Sequence, residues 1–205
     1  MLKKLNTLSG KRFCGLIMTS LLLAGVTGMA SAQNRISTGQ VMNSLAKTGT
    51  TAQKVGIDVN AVRRDILARI KAEGGTDAAS PPPVVDILSK LPVFIVQIQF
   101  DLGSDVIRPA SWETVGRIAD ALHHPLLLGN RFLVVGHTDS TGSRESNLKL
   151  SERRAQAVTE LLTSTFRVPR NRLLPVGFGE EQIFDTSNPK AGVNRRVEFI
   201  NLGPT

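Results

Sequence analysis

Two charged side chains stand at positions where ionic chemistry has consequences. Asp139 ends the run Gly136-His137-Thr138-Asp139, which follows directly on the strand-like segment Arg131 to Val135. Arg154 lies in a segment with helical periodicity, where Leu150, Ala157, Val158 and Leu161 recur on one stripe and Arg154 falls on the same stripe. A guanidinium on the apolar side of a helix is costly unless something completes its charge. The positive end of the helix is near, which makes an anion there more welcome still. Two chemistries satisfy these constraints. Asp139 and Arg154 can close on each other as a structural ion pair. Alternatively they flank a pocket and present opposite charges to a zwitterion, an amine and a carboxylate on one carbon. Residue types and spacing leave both open.

The other groups capable of chemistry are histidines. His137 stands two residues before Asp139, and His123-His124 form a pair, so a metal hydrolase is conceivable. The chain lacks an HExxH sequence, paired cysteines and G-x-S-x-G. The reading is therefore a non-enzymatic protein without metal or cofactor, with His137 a turn residue and His123-His124 a solvated helix end.

The elements that must position Asp139 and Arg154 follow from periodicity. Val93 to Phe100 alternates, with Phe94, Val96, Ile98 and Phe100 on one face. Pro109 suits a first helical turn, and Trp112, Val115, Ala119 and Leu122 then give a buried stripe to about His123. A strand over 131–135, a loop with Gly142, a helix over about 146–164, and strands over 173–177 and 196–201 complete the pattern. The fold class is α+β, a two-layer domain with helices on one face of a mixed sheet. Upstream, Asp58 is an N-cap for a helix carrying Val59, Val62, Ile66 and Ile70, ended by Gly74-Gly75. Thr76 to Pro83 reads as a proline-rich linker. The resulting division is 1–32, a cleaved export signal; 33–83, an N-terminal helical extension; and 84–205, the main domain.

Composition narrows the partners. Aromatic residues make up 4% of the 205 residues and tyrosine is absent, so the core is aliphatic. The formal charge of +8 suggests nucleic acid. Lys3, Lys4, Lys11 and Arg12, however, lie in residues 1–32, which hold no acid. Setting those four aside leaves 21 of the 25 basic residues against 17 acidic ones. Basic and acidic residues also interleave, as in Arg144-Glu145 and Glu152-Arg153, and stacking aromatics are scarce, which argues against nucleic acid. The same four cations, the apolar run Leu16 to Val26 and the closing Ala30-Ser31-Ala32 have the three parts of a secretory signal, with Gln33 the expected mature start. The apolar run is about half of the roughly 20 residues a membrane span needs. The sole cysteine, Cys14, lies before it, so the mature chain is expected to have no thiol chemistry.

The run Gly136-His137-Thr138-Asp139-Ser140-Thr141-Gly142-Ser143, then Asn147, then Leu150-Ser151-Glu152-Arg153-Arg154-Ala155, resembles the OmpA-like C-terminal domain, a module shared by peptidoglycan-associated lipoproteins and flagellar stator proteins. Phe100-Asp101 with Ser104 and Ile107, Gly177-Phe178-Gly179-Glu180, and Asn194-Arg195-Arg196-Val197-Glu198 extend the likeness over about residues 92–201. The resemblance implies a βαβαβ fold with an added strand. It also implies non-covalent binding of peptidoglycan through the meso-diaminopimelate of the peptide stem, in the periplasm or at the outer membrane. Asp139 would take the ligand's ammonium and Arg154 its carboxylate. Phe100, Asp101, Thr138, Asn147 and Leu150 would support them. One of Arg195 and Arg196 would approach the pocket and the other the solvent. A scaffold role using the same fold for protein contact is the alternative, and residues 33–83 could tether an outer-membrane or other envelope protein. Three positions depart from the family pattern: Ser146 in place of an aromatic, Glu181-Gln182-Ile183 without the usual proline, and Phe166-Arg167-Val168 without a glycine.

Overall fold

The computed structural model describes residues 36–46, 56–73 and 81–204. The expected export signal, the Gly74-Gly75 stop and most of the linker lie outside the described residues. Asn34–Thr205 forms one compact unit.

Its centre is a four-stranded sheet of β1 (Val93–Val96), β2 (Asn130–His137), β3 (Leu173–Gly179) and β4 (Val197–Pro204), in the order β1-β4-β2-β3. β4 runs antiparallel to β1 and β2, whereas β2 and β3 are parallel. A parallel pair needs a crossover, and α5 (Arg144–Ser164) supplies it. The class is α+β. β2 ends at Asp139's doorstep because the glycine-rich segment after Val135 keeps pairing, Gly136 with Gly177 and His137 with Gly179.

β1 is shorter than the alternation suggests. The chain leaves the sheet after Val96, although Ile98 stays buried, and Phe100 pairs only with Ile107 in an isolated bridge. Pro109–Ser111 is a single 3-10 turn, and α4 (Trp112–Leu122) follows. Trp112 does not join the core as expected; it is 48% exposed. In that first turn the buried position belongs to Ser111, whose hydroxyl accepts a hydrogen bond from the Gln99 N–H at 2.8 Å.

The buried line of α5 is also rotated from the expected one. Asn147, Leu148, Ser151, Arg154, Ala155, Val158 and Leu162 face inward, while Leu150, Ala157 and Leu161 are half-buried on its flank. Arg154 lies nearer the centre of the buried face than its sequence neighbours suggested.

Two core clusters correspond to the two sheet faces. Phe132, Val134, Leu173, Val197 and Phe199 pack with α4, α5 and α1 (Thr38–Leu45), a helix additional to the one expected after Asp58. Its start is a capping box: Ser37 Oγ accepts from the Gln40 N–H at 3.1 Å, and Gln40 Oε1 accepts from the Ser37 N–H at 2.8 Å. Val41 and Leu45 are fully buried, and Asn201 Nδ2 donates to the Leu45 carbonyl at 2.9 Å. On the opposite face, Leu133, Val135, Val176, Phe178 and Ile200 pack with Ile66 and Ile70 of α2 (Val59–Ala72) and Val85 and Leu88 of α3 (Val84–Leu88). Asp58 caps α2 as expected, its carboxylate accepting from the Asn60 and Ala61 N–H groups. α1, α4 and α5 thus share one face of the sheet, and α2 and α3 cover the other. Among the described residues, no helix is long and apolar enough to cross a membrane.

Candidate functional site

Arg154 is placed by how closely α5 approaches the sheet. A Cβ on Gly136 would stand 2.2 Å from the Ser151 carbonyl oxygen, and one on Gly177 would stand 2.4 Å from the Glu152 nitrogen. Only glycine leaves room for this contact. Ser151 fastens it: its hydroxyl accepts from the Gly179 N–H and donates to the Leu148 carbonyl, both at 2.8 Å. Arg154 follows one turn later on the same buried face of α5.

Arg154 is buried there, the residue as a whole 8% exposed. Its Nε donates to the Ser104 carbonyl at 3.0 Å, and its Cζ lies 4.8 Å from the centroid of the Phe100 ring. Among the described residues no carboxylate comes within 4 Å of it; Asp105 pairs loosely with Arg153 instead, at 3.9 Å. Desolvation by burial, followed by the nearby Arg195 charge, pulls the Arg154 pKa below its ordinary value, partly offset by Asp139 and Asp105. A guanidinium stays charged even so.

Asp139 is also buried, and it does not close on Arg154. Its Oδ2 accepts from Arg195 Nη1 at 2.6 Å, and its Oδ1 accepts from the Thr141 N–H at 3.0 Å. Burial raises the carboxyl pKa, but the bonds from Arg195 and from the Thr141 backbone and hydroxyl outweigh it and hold Asp139 below the usual carboxylate value. The site therefore contains one carboxylate and two guanidinium groups. Only Arg195, about half-exposed, is paired with the acid.

The supporting residues fall into place unevenly. Asn147 does not cap the helix; Ser143 does, accepting from the Ser146 N–H. Asn147 is buried, and its Nδ2 donates to the Asp139 and Thr141 carbonyls, at 3.3 and 3.1 Å, and to Glu180. It thereby holds the Asp139 loop against α5. Thr138 is buried, with a hydroxyl that has no hydrogen-bond partner among the described residues. Phe100 forms the floor under Arg154. Asp101 turns away and accepts from Arg108 Nε at 2.9 Å. Leu150 is on the half-buried flank.

Of the two arginines whose direction the sequence left undecided, Arg195 reaches Asp139. The expectation that the other meets solvent is corrected. Arg196 is buried, and its Nε donates to Glu198 Oε1 at 2.8 Å and its Nη2 to the Gln182 carbonyl at 3.1 Å. Strand alternation puts Arg196 and Glu198 on the same face, so the arginine meets an acid instead of water. His137 is likewise not a turn residue. It is the last residue of β2, fully enclosed and edge-on to Phe178 at 5.7 Å; Nε2 lies 3.5 Å from Glu198 Oε1, and among the described residues neither ring nitrogen has a hydrogen-bond partner. Desolvation, then the Arg196 charge, keeps it neutral.

Sequence reasoning missed Arg144. Its side chain is 1% exposed, bidentate to Glu181 at 2.8 and 2.6 Å and bonded to Glu73 at 2.7 Å. Together with the Arg63–Glu152 ion pair it ties α2 to α5. A groove of about 600 Å³ runs beside the Asp139 loop, and a smaller cavity opens on the opposite sheet face; neither is lined by Asp139 or Arg154.

Residues 99–196 match the family model described as the OmpA family. Outer membrane porin F of Pseudomonas fluorescens is 37% identical over 106 residues, covering 50% of this chain and 31% of that protein. The peptidoglycan-associated lipoprotein of Legionella pneumophila is 43% identical over 79 residues, covering 38% of this chain and 43% of that protein. The crystal structure of the peptidoglycan-associated lipoprotein from Burkholderia pseudomallei is 28% identical, covers 56% of this chain and 92% of that chain, and has a TM-score of 0.42. The chain spans less than half the length of these two curated relatives. The segment matched to the OmpA family thus contains Asp139, Arg154 and the elements that hold them.

Proposed function

We propose that this domain binds peptidoglycan non-covalently, through the diaminopimelate of the peptide stem, and so anchors an envelope component to the cell wall. The observation that carries the reading is Arg154: a buried guanidinium with no carboxylate within 4 Å among the described residues, stacked on Phe100, beside a buried aspartate that pairs with a different arginine. A structural ion pair would have joined Asp139 to Arg154. Leaving them apart suits a ligand that brings its own ammonium and carboxylate.

Asp139 accepts from Arg195 and from the Thr141 N–H and hydroxyl, and its two oxygens keep lone-pair capacity for an ammonium. The Arg154 Nη groups are available for a bidentate carboxylate. Binding of this kind needs no bond to be made or broken. The named relatives, an outer membrane porin and a peptidoglycan-associated lipoprotein, support the wall as the partner and the cell envelope as the place.

The test is co-sedimentation with purified sacculi. Asp139→Ala and Arg154→Ala should each reduce pelleting to background while the circular dichroism spectrum stays folded, and pelleting of the wild type should weaken as salt rises. Undiminished pelleting of both folded variants defeats the proposal.

A further inference from the structure

The 600 Å³ groove begins where the Asp139 loop ends. Its walls include Ser140, Thr186, Asn188, Pro189 and Lys190, together with Glu180. These walls are built in advance. Asn194, fully buried, accepts from the Phe184 and Asp185 N–H groups at 2.9 Å and donates to the Asn188 and Pro189 carbonyls at 3.1 and 3.0 Å. The Ser140 N–H donates to that same Pro189 carbonyl at 3.1 Å, so the groove wall and the Asp139 loop share a hydrogen bond.

The lining has a definite chemical character. Ser140, Thr186, Ser187 and Asn188 bring hydroxyl and amide groups, Ile183 and Pro189 bring apolar surface, and Lys190, at the exposed rim, is the sole cation among the lining residues. The Glu180 carboxylate is buried and accepts from Asn147, so its charge is directed into the protein. A groove of neutral hydrogen-bonding groups with one ammonium suits backbone amides ending in a carboxylate. Its volume falls in the range typical of small-ligand sites.

We infer that this groove is a second subsite, which takes the amide- and carboxylate-bearing neighbour of the amino acid held by Asp139 and Arg154, with Lys190 contacting that carboxylate. The inference rests on the wall-binding reading and adds a specificity to it: the protein distinguishes a diamino acid within a stem peptide from the free amino acid. The contribution of Lys190 is that of an exposed ionic contact, which corresponds to roughly a two- to fivefold change in affinity.

The experiment is calorimetric titration of the wild type and Lys190→Ala with three probes: free meso-diaminopimelate, the tripeptide L-Ala-γ-D-Glu-meso-diaminopimelate, and the same tripeptide with its glutamyl α-carboxylate amidated. The wild type should bind the tripeptide more tightly than the free amino acid. Lys190→Ala should lose about two- to fivefold for the tripeptide and nothing for the other two probes. Equal wild-type affinity for tripeptide and amino acid, or an unchanged tripeptide affinity in Lys190→Ala, overturns the inference while leaving the Asp139–Arg154 site intact. Failure of the wild type to bind any probe removes both readings.

Discussion

Replacing Arg144 with alanine strands a buried acid. The Arg144 guanidinium meets Glu181 through two hydrogen bonds, Nε to Oε1 at 2.8 Å and Nη2 to Oε2 at 2.6 Å, and both side chains are 1% exposed. Water cannot take over from the arginine without opening the junction of α2, α5 and the end of β3. Removing one partner of such a pair costs about 3–5 kcal/mol, most of it the penalty of an uncompensated charge. Glu73 adds less, because its side chain is 29% exposed and can be rehydrated. For a unit of this size each kcal/mol lowers the melting temperature by about 2–4 °C, so Arg144→Ala should melt roughly 6–20 °C below the wild type. Glu181→Leu should be destabilised in the same way by leaving the arginine buried without its main partner. The double variant Arg144→Met/Glu181→Leu removes both charges and fills the space, and should return to within about 1 kcal/mol of the wild type. Urea denaturation of the wild type, Arg144→Met, Glu181→Leu and the double variant gives the coupling energy directly. A double variant that loses the sum of the two single losses would refute the argument, since the pair would then contribute through packing alone.

Two further outcomes follow from single residues. Arg167 has φ 61°, the left-handed region, at the position where the family pattern has a glycine; Arg167→Gly should raise stability by up to about 1 kcal/mol, read as an increased urea midpoint, and a lowered midpoint would show that the arginine side chain contributes more than its backbone strain costs. His137 is held neutral well below the ordinary imidazole value of 6.5, so the unfolded chain gains a proton before the folded one does; stability is therefore complete above that value and falls with decreasing pH by up to about 1.4 kcal/mol per pH unit. His137→Gln should flatten that slope between pH 6.5 and 5, and an unaltered slope would mean another group carries it.

The residues that were legible in the sequence are those whose partners lie close along the chain or whose type conflicts with its surroundings. Arg154 stood out because a charge fell on an apolar stripe, and the stripe's true centre, Ser151 and Ala155 beside it, strengthens the conflict. Asp58 and Pro109 were readable because caps and first turns are local. The capping box at Ser37 was equally local and went unread, because a helix of eight residues has little periodicity to draw attention to it. α3 lay directly behind three prolines, which favour an extended reading over a five-residue helix. Arg144 was illegible for a different reason. Its partners are Glu181 and Glu73, far away in the sequence, and a helix expected to begin at Ser146 left it in a loop, where an arginine is ordinarily solvated. The same limit applied at Asp139. Composition and spacing placed it beside Arg154, but only strand register decided that Arg195 takes its carboxylate and Arg196 goes to Glu198 on the other face. That division of two adjacent arginines keeps Arg154 without an acid of its own, and so makes the site complementary to a ligand that supplies one.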